Sequence, residues 1–117
     1  MKIYTASKVK HYKMWLELRE KGYNIISTWI DEAGPGQTSN IQDLAIRCIN
    51  EAKYADILLL YCEDGEILKG ALVEAGAALA AGKLVHYVGF NMGINKVFGF
   101  HPLWKNYTSI GAAINQS

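Results

Sequence analysis

Cysteine and proline are scarce, two of each among 117 residues. Cys48 and Cys62 are too few for a disulfide framework, and no second Cys or His stands at ligand spacing, so no metal and no other cofactor is expected. A reducing cytoplasm fits that cysteine usage best. Charge of one sign is lacking too. Twelve Lys plus Arg against eleven Asp plus Glu leave +1, a balance that recommends neither polymeric nucleic acid nor an anionic membrane as partner. No apolar run reaches the roughly 18 residues of a membrane span, and "MKIYTAS" enters a strand-like stretch without a secretory apolar region, so a soluble, cytoplasmic protein is expected. Half of the residues are hydrophobic and a fifth charged. That is globular composition, and one domain over 1–117 is expected.

What is present alternates. "KIYTAS" (2–7) is β-rich, and "KVKHYKMWLELREKG" spaces Val9, Tyr12, Trp15, Leu16 and Leu18 as a helix does before Gly22. "YNIISTWI" (23–30) reads as a second strand, followed by "DEAGPGQTSN", a turn-rich segment whose "GPGQTSN" reads as a flexible lid. Asn40 or Ser39 can cap a helix through "IQDLAIRCINEAKYA", with Ile41, Leu44, Ala45, Cys48 and Ile49 as its buried stripe. "ADILLLYCE" (55–63) is nearly all apolar, as a central parallel strand requires. A helix over 66–83 and a strand over 84–90 follow, then a short strand near 97–107 and a last helix near 108–115. The order predicts a three-layer, Rossmann-like α/β fold: a parallel sheet of four to five strands with helices on both faces. Ligands of such sheets bind beyond the carboxyl ends of the strands.

"EILKGALVEAGAALAAGK" (66–83) carries a lone acid, Glu74, near its middle. At about 100° per residue, Leu68, Leu72 and Leu79 fall on one side, which is expected to pack on the sheet. Glu74 falls opposite, among Ile67, Gly70, Ala71, Ala77, Ala78 and Ala81. A solvated face normally carries several charges, so this one reads as covered, by a cleft or by a second subunit. An acid in such a place has a shifted pKa and becomes a candidate for chemistry.

The pattern Gly70-x3-Glu74-x-Gly76, followed by "AALAAGKLV", with Tyr4 in the first strand and Asp56 heading the third, resembles the nucleoside 2-deoxyribosyltransferases and their nucleotide N-glycosidase relatives. The resemblance runs from "KIYTAS" to "KLVHYVG". It implies a flavodoxin-like fold and a glutamate that attacks C1′ of a deoxyribose to form a covalent glycosyl-enzyme. Glu74 matches that nucleophile and Tyr4 the tyrosine that orients it, although Tyr4 reads equally as a core aromatic. Ser7 matches a loop lining the sugar or phosphate pocket, and Gly70 is counted with it as substrate-binding. The resemblance also implies homodimers or larger assemblies whose neighbouring chains complete the site. Cys48 and Leu68 stand where the transferases place aspartates, so Asp31, Asp43, Glu51, Glu63 or Asp64 is left to supply an acid.

At the ligand edge, Trp29 could stack on a base and Asp31 could bind its polar edge, or the two could close the core and cap the loop. Asp64 ends the central strand, where it is either a site acid or the Asp of an Asp-Gly turn. His11, His86 and His101 read as structural or surface groups, and Asp56, at a strand's start, as structural. The expected partner is a small nucleoside or nucleotide. Two functions remain open: an enzyme at an N-glycosidic bond, by transfer or hydrolysis, and a module that binds a nucleotide without turnover.

Overall fold

The run Ile57–Cys62, ILLLYC, is apolar on both of its faces, and it becomes an inner strand of a wholly parallel sheet. In the computed structural model, which describes residues 1–34, 39–89 and 97–115, β1 (Ile3–Ala6), β2 (Ile57–Cys62), β3 (Leu84–Gly89) and β4 (Trp104–Tyr107) lie in the order β1-β2-β3-β4. A 3-10 turn at Val9–His11 leads into α1 (Tyr12–Glu20); the other α-helices described are α2 (Trp29–Glu32), α3 (Ile41–Tyr54), α4 (Gly70–Ala80) and α5 (Ile110–Ile114). The Asn40 side chain caps α3 by accepting the Asp43 N–H at 3.0 Å.

Register decides which side chains meet which helix. Tyr4, Leu58, Val85 and Trp104 stand side by side across the sheet, and Thr5, Leu59, His86 and Lys105 form the next row. Successive residues of a strand face opposite sides. The first row therefore looks at α4, where Tyr4 finds Glu74, and α3 packs beside α4. The second row looks at α5, where His86 Nδ1 donates to Ala113 O at 3.0 Å. Trp15 of α1 meets Tyr61 edge-on on that same side, with ring centroids 6.3 Å apart. The result is three layers, α1 and α5 on one face and α3 and α4 on the other.

Several elements differ from expectation. Residues 23–30 do not form a strand: Ile25 makes a single parallel bridge to Ile3, and α2 begins at Trp29. Side chains replace the missing ladder along the outer edge of β1. The Ser27 hydroxyl accepts the Thr5 N–H at 2.6 Å, and Trp29 Nε1 donates to Thr5 O at 2.7 Å. Beside them, Ile3 N–H reaches Asn24 O and Ile26 N–H reaches Ile3 O, both at 2.9 Å. The expected lid over 34–40 lies partly outside the described residues.

α4 also corrects its reading. It starts at Gly70 rather than 66, and the residues it buries are Ala71, Ala75 and Ala78. Leu68 is buried as expected, just before the helix, but Leu72 is 37% exposed and lies with Leu79, Phe98 and Trp104 along an apolar groove of about 450 Å³. Bulk was the wrong signal. A helix crossing the sheet closely needs small side chains beneath it and pushes leucines to its flank. The expected stripe on α3 is half-covered at best, with Ile41 66% exposed and Ala52 the buried contact. In the tail, Phe98–Phe100 is a 3-10 turn, leaving Trp104–Tyr107 as the strand.

Candidate active site

Glu74 follows Ala71 by three residues and precedes Ala78 by four, so it shares their side of α4 and hangs over β1 rather than facing away from the sheet. Tyr4, fully buried, donates its hydroxyl hydrogen to the Glu74 carboxylate. Burial pushes the Glu74 carboxyl above the ordinary carboxylate range, while hydrogen bonds from Tyr4 and Cys48 hold part of that rise back and the charge of Glu51 adds to it. Burial, then the neighbouring Glu74 charge, drives the Tyr4 phenol far above its usual value, so it stays a donor. The Cys48 thiol is pushed up to about 11, first by burial.

Above this pair, at the carboxyl ends of β1 and β2, opens a cleft of about 270 Å³. Ser7 and Lys8 line it from the turn after β1, Trp29 and Glu32 from α2, Leu44 and Cys48 from α3, and Lys69 and Gly70 from the start of α4. The volume suits a sugar-sized group with its substituents toward solvent. The Trp29 indole N–H is already spent on Thr5 O, so the ring offers a ligand its apolar surface. Ser7 Oγ accepts the Trp15 indole N–H at 2.9 Å and donates to Lys8 O at 2.9 Å. Glu32 is held through both oxygens by Arg47 Nη2, at 3.0 and 2.7 Å. Arg47 also donates to Thr28 Oγ1 at 2.7 Å and to Asp43 at 2.8 Å. Lys8 and Lys69 place two ammonium groups on the rim.

No protein-family model matches the sequence, and no curated protein matches it. Solved structures do. A CMP N-glycosidase of Clostridium botulinum, BcmB, superposes with a TM-score of 0.61 at 16% identity, over 99% of this chain and 96% of that one. A 2-deoxyribosyltransferase from Bacillus psychrosaccharolyticus superposes with a TM-score of 0.65 at 22% identity, over 98% and 91%. The chain has the fold of these enzymes. Its sheet edge, where the fold places ligands, is the edge that carries the Tyr4–Glu74 pair.

Of the residues singled out in the sequence, Tyr4, Ser7, Trp29, Gly70 and Glu74 come together at this cleft. Asp31 and Asp64 do not line it. Asp31 is exposed and bound to Arg19 at 3.0 Å, and that hydrogen bond holds its carboxyl below the usual range. Asp64 is exposed in the turn before Gly65, whose φ of 83° is the left-handed conformation an Asp-Gly turn supplies. Asp56 accepts the Lys2 N–H at 2.8 Å, at the far end of the sheet. Sequence reasoning missed Glu32 and Arg47, whose pairing spans 15 residues and shows in the sequence only as the Asp43–Arg47 helical spacing.

A second polar cluster lies beside the cleft. His11 Nε2 meets Glu66 Oε2 at 2.8 Å, the Glu63 N–H donates to Glu66 Oε1 at 2.8 Å, and Lys10 Nζ approaches at 3.6 Å. The pair ties the turn after β1 to the turn after β2, and both turns carry cleft residues. Burial alone would raise the Glu66 carboxyl, but the Glu63 N–H and His11 outweigh it and hold it below its usual value. Among the described residues no group of His, Cys, Asp or Glu is arranged to hold a metal ion, and no helix among them is long and apolar enough to cross a membrane.

Proposed function

We propose that this protein is an enzyme of nucleoside or nucleotide metabolism that acts at the N-glycosidic bond of a deoxynucleoside or deoxynucleotide. The hydrogen bond from Tyr4 to Glu74 at the base of a sugar-sized cleft carries this reading. Glu74 Oε attacks C1′, the C1′–N bond breaks with its electron pair going to the base, and a glycosyl ester forms. Water or a second base then takes the sugar and frees the carboxylate. Carbon C1′ acquires oxocarbenium character on the way, which an adjacent anion stabilises. Tyr4 fixes the carboxylate's direction and favours its charged form, while burial keeps its proton affinity, and hence its nucleophilicity, above that of a solvated glutamate. The same enzyme activities in the two structural neighbours support the assignment.

The rim ammonium groups of Lys8 and Lys69 favour a substrate bearing an anionic group. The exposed Ile41, Ile46, Ile67, Leu72 and Val73 on and beside α3 and α4 support a homo-oligomer, to be read by light scattering. Two free thiols support a cytoplasmic setting.

The direct test incubates the protein with deoxynucleosides and deoxynucleoside monophosphates, with and without acceptor bases, alongside Glu74→Ala. Base release by the native protein and none by the variant is expected; release that survives the substitution sinks the mechanism. A second reading, a nucleotide-binding module without turnover, is favoured by the capture of Glu32 by Arg47, which leaves the cleft's other lining carboxylate unavailable to protonate a leaving base. Tight nucleotide binding with no base release would select it.

A further inference from the structure

Glu32 is the cleft carboxylate that the chemistry at Glu74 does not use. It follows Trp29 by three residues in the single turn of α2, so the two share the side of that turn that lines the cleft. Its side chain is 28% exposed, open to a ligand but not free to turn. Arg47 Nη2 donates to both of its oxygens, at 3.0 and 2.7 Å. The guanidinium is fixed in turn. Nε donates to Asp43 at 2.8 Å and Nη1 to Thr28 Oγ1 at 2.7 Å, while the Thr28 hydroxyl hydrogen goes to Glu51 at 2.7 Å. A carboxylate accepts at about four lone pairs. One nitrogen shared by both oxygens occupies the inner, converging pair. The outer two remain and diverge, so a ligand can engage one of them with one N–H but cannot span both.

We infer that Glu32 is a specificity-determining residue that selects a base carrying an exocyclic amino group, with Arg47 holding it in place; the inference rests on the reading of the cleft as a nucleoside or nucleotide site. A base laid against the Trp29 ring brings its polar edge to Glu32. The amino group of cytosine or adenine projects from the ring as a donor and suits one outward lone pair. A carbonyl in the same place, as in uracil or hypoxanthine, sets oxygen against oxygen. The adjacent N1–H and N2–H of guanine need a converging pair of acceptors, and Arg47 has filled that pair. The site therefore rejects oxo bases by repulsion and guanine by geometry, so discrimination comes from the wrong bases being penalised as much as from the right one being held.

The test compares matched substrates that differ only in amino against oxo: dCMP with dUMP, and dAMP with dIMP. In the first arm, kcat/KM for base release is measured for each pair with the native protein and Glu32→Gln. The native protein is expected to favour the amino member of each pair at least about tenfold, the scale of one hydrogen bond to a charged group. In Glu32→Gln, whose amide offers N–H as well as oxygen, the ratio is expected to fall to about one or to invert. Each ratio is taken within one protein, so a loss of folded molecules cancels. In the second arm, calorimetry follows binding of the same four nucleotides to Glu74→Ala and to Glu74→Ala with Glu32→Gln, where no turnover interferes. The same preference and the same collapse are expected in Kd. Equal release of amino and oxo bases by the native protein, or a preference that Glu32→Gln leaves unmoved, overturns the inference and leaves the proposed reaction standing. Selective binding that depends on Glu32, in a native protein that releases no base, upholds the recognition and defeats the reaction instead. Binding of none of the four overturns the inference.

Discussion

Glu66 and Glu74 leave the same edge of the sheet on one stretch of chain, and each reaches back to a residue that β1 or its following turn supplies. Their surroundings move their protons in opposite directions. Glu66 meets a backbone N–H, the His11 ring and the Lys10 ammonium, and is held below its usual range. Glu74 is pushed above it, first by burial and then by the like charge of Glu51, against the neutral Tyr4 hydroxyl that donates to it. Both carboxylates are withdrawn from water. Depth raises Glu74, whereas a backbone N–H and cationic neighbours outweigh burial at Glu66, and the two together separate a carboxylate that fastens two turns from one that is available to react.

The largest expected effect tests that division of labour. Glu74→Gln is expected to lower base release by at least about a thousandfold, the scale on which a missing reacting group shows, while Glu66→Gln changes it by no more than a few-fold. Comparable losses in both would erase the contrast. Next, Tyr4→Phe keeps the buried ring and removes the donor, so kcat is expected to fall about a hundredfold, as when one aimed hydrogen bond is lost. Because Tyr4 holds down the Glu74 proton affinity, the acid limb of the rate profile should also move to higher pH.

Stability should show the same contrast with opposite signs. A carboxyl raised in the folded state stabilises it only while protonated, and that benefit disappears as pH rises through the folded value. One depressed in the folded state stabilises above its unfolded value and loses this as pH falls through the folded one. At pH 7, then, Glu74→Gln is expected to raise Tm and Glu66→Gln to lower it, each by about 4 °C, the shift that about 1 kcal/mol produces in a domain of this size. Calorimetry from neutral to acid pH should find the Glu66→Gln deficit vanishing as Glu66 is protonated below its ordinary range. A deficit that persists in acid would mean that shape, not charge, holds the two turns. The smallest effect belongs to Asp31. Its exposed pair with Arg19 predicts that Asp31→Asn changes stability by no more than about 0.5 kcal/mol and leaves base release unchanged.

What the sequence disclosed follows from which signals are local. β2 and β3 were legible because a strand covered on both faces must be apolar throughout, and the cap at Asn40 because a side chain and an amide three residues on suffice. Residues 23–30 misled because burial of Ile25, Trp29 and Ile30 selects the same residue types as a strand, while the replacement of backbone pairing by Ser27 and Trp29 has no pattern of its own. On α4 the leucines masked the alanines that touch the sheet. Glu74 stood out as a lone acid on a helix of small residues and was brought to Tyr4 by the family resemblance. Cys48, which lines the cleft, read only as a departure from that family, and the His11–Glu66 contact, 55 residues apart in the chain, carries no local mark.

The dressed edge of β1 has a consequence outside catalysis. A strand at the margin of a sheet is a template on which another chain can build, and exposed templates seed fibrils. Here the outward amides and carbonyls of Ile3 and Thr5 are already taken by Asn24, Ile26, Ser27 and Trp29. The strand that carries Tyr4 is thereby guarded against recruitment into cross-β aggregates, and the guard includes the indole that walls the cleft. Substitutions at Trp29 made to reshape ligand binding would open that template, so their cost would appear first as loss of soluble protein.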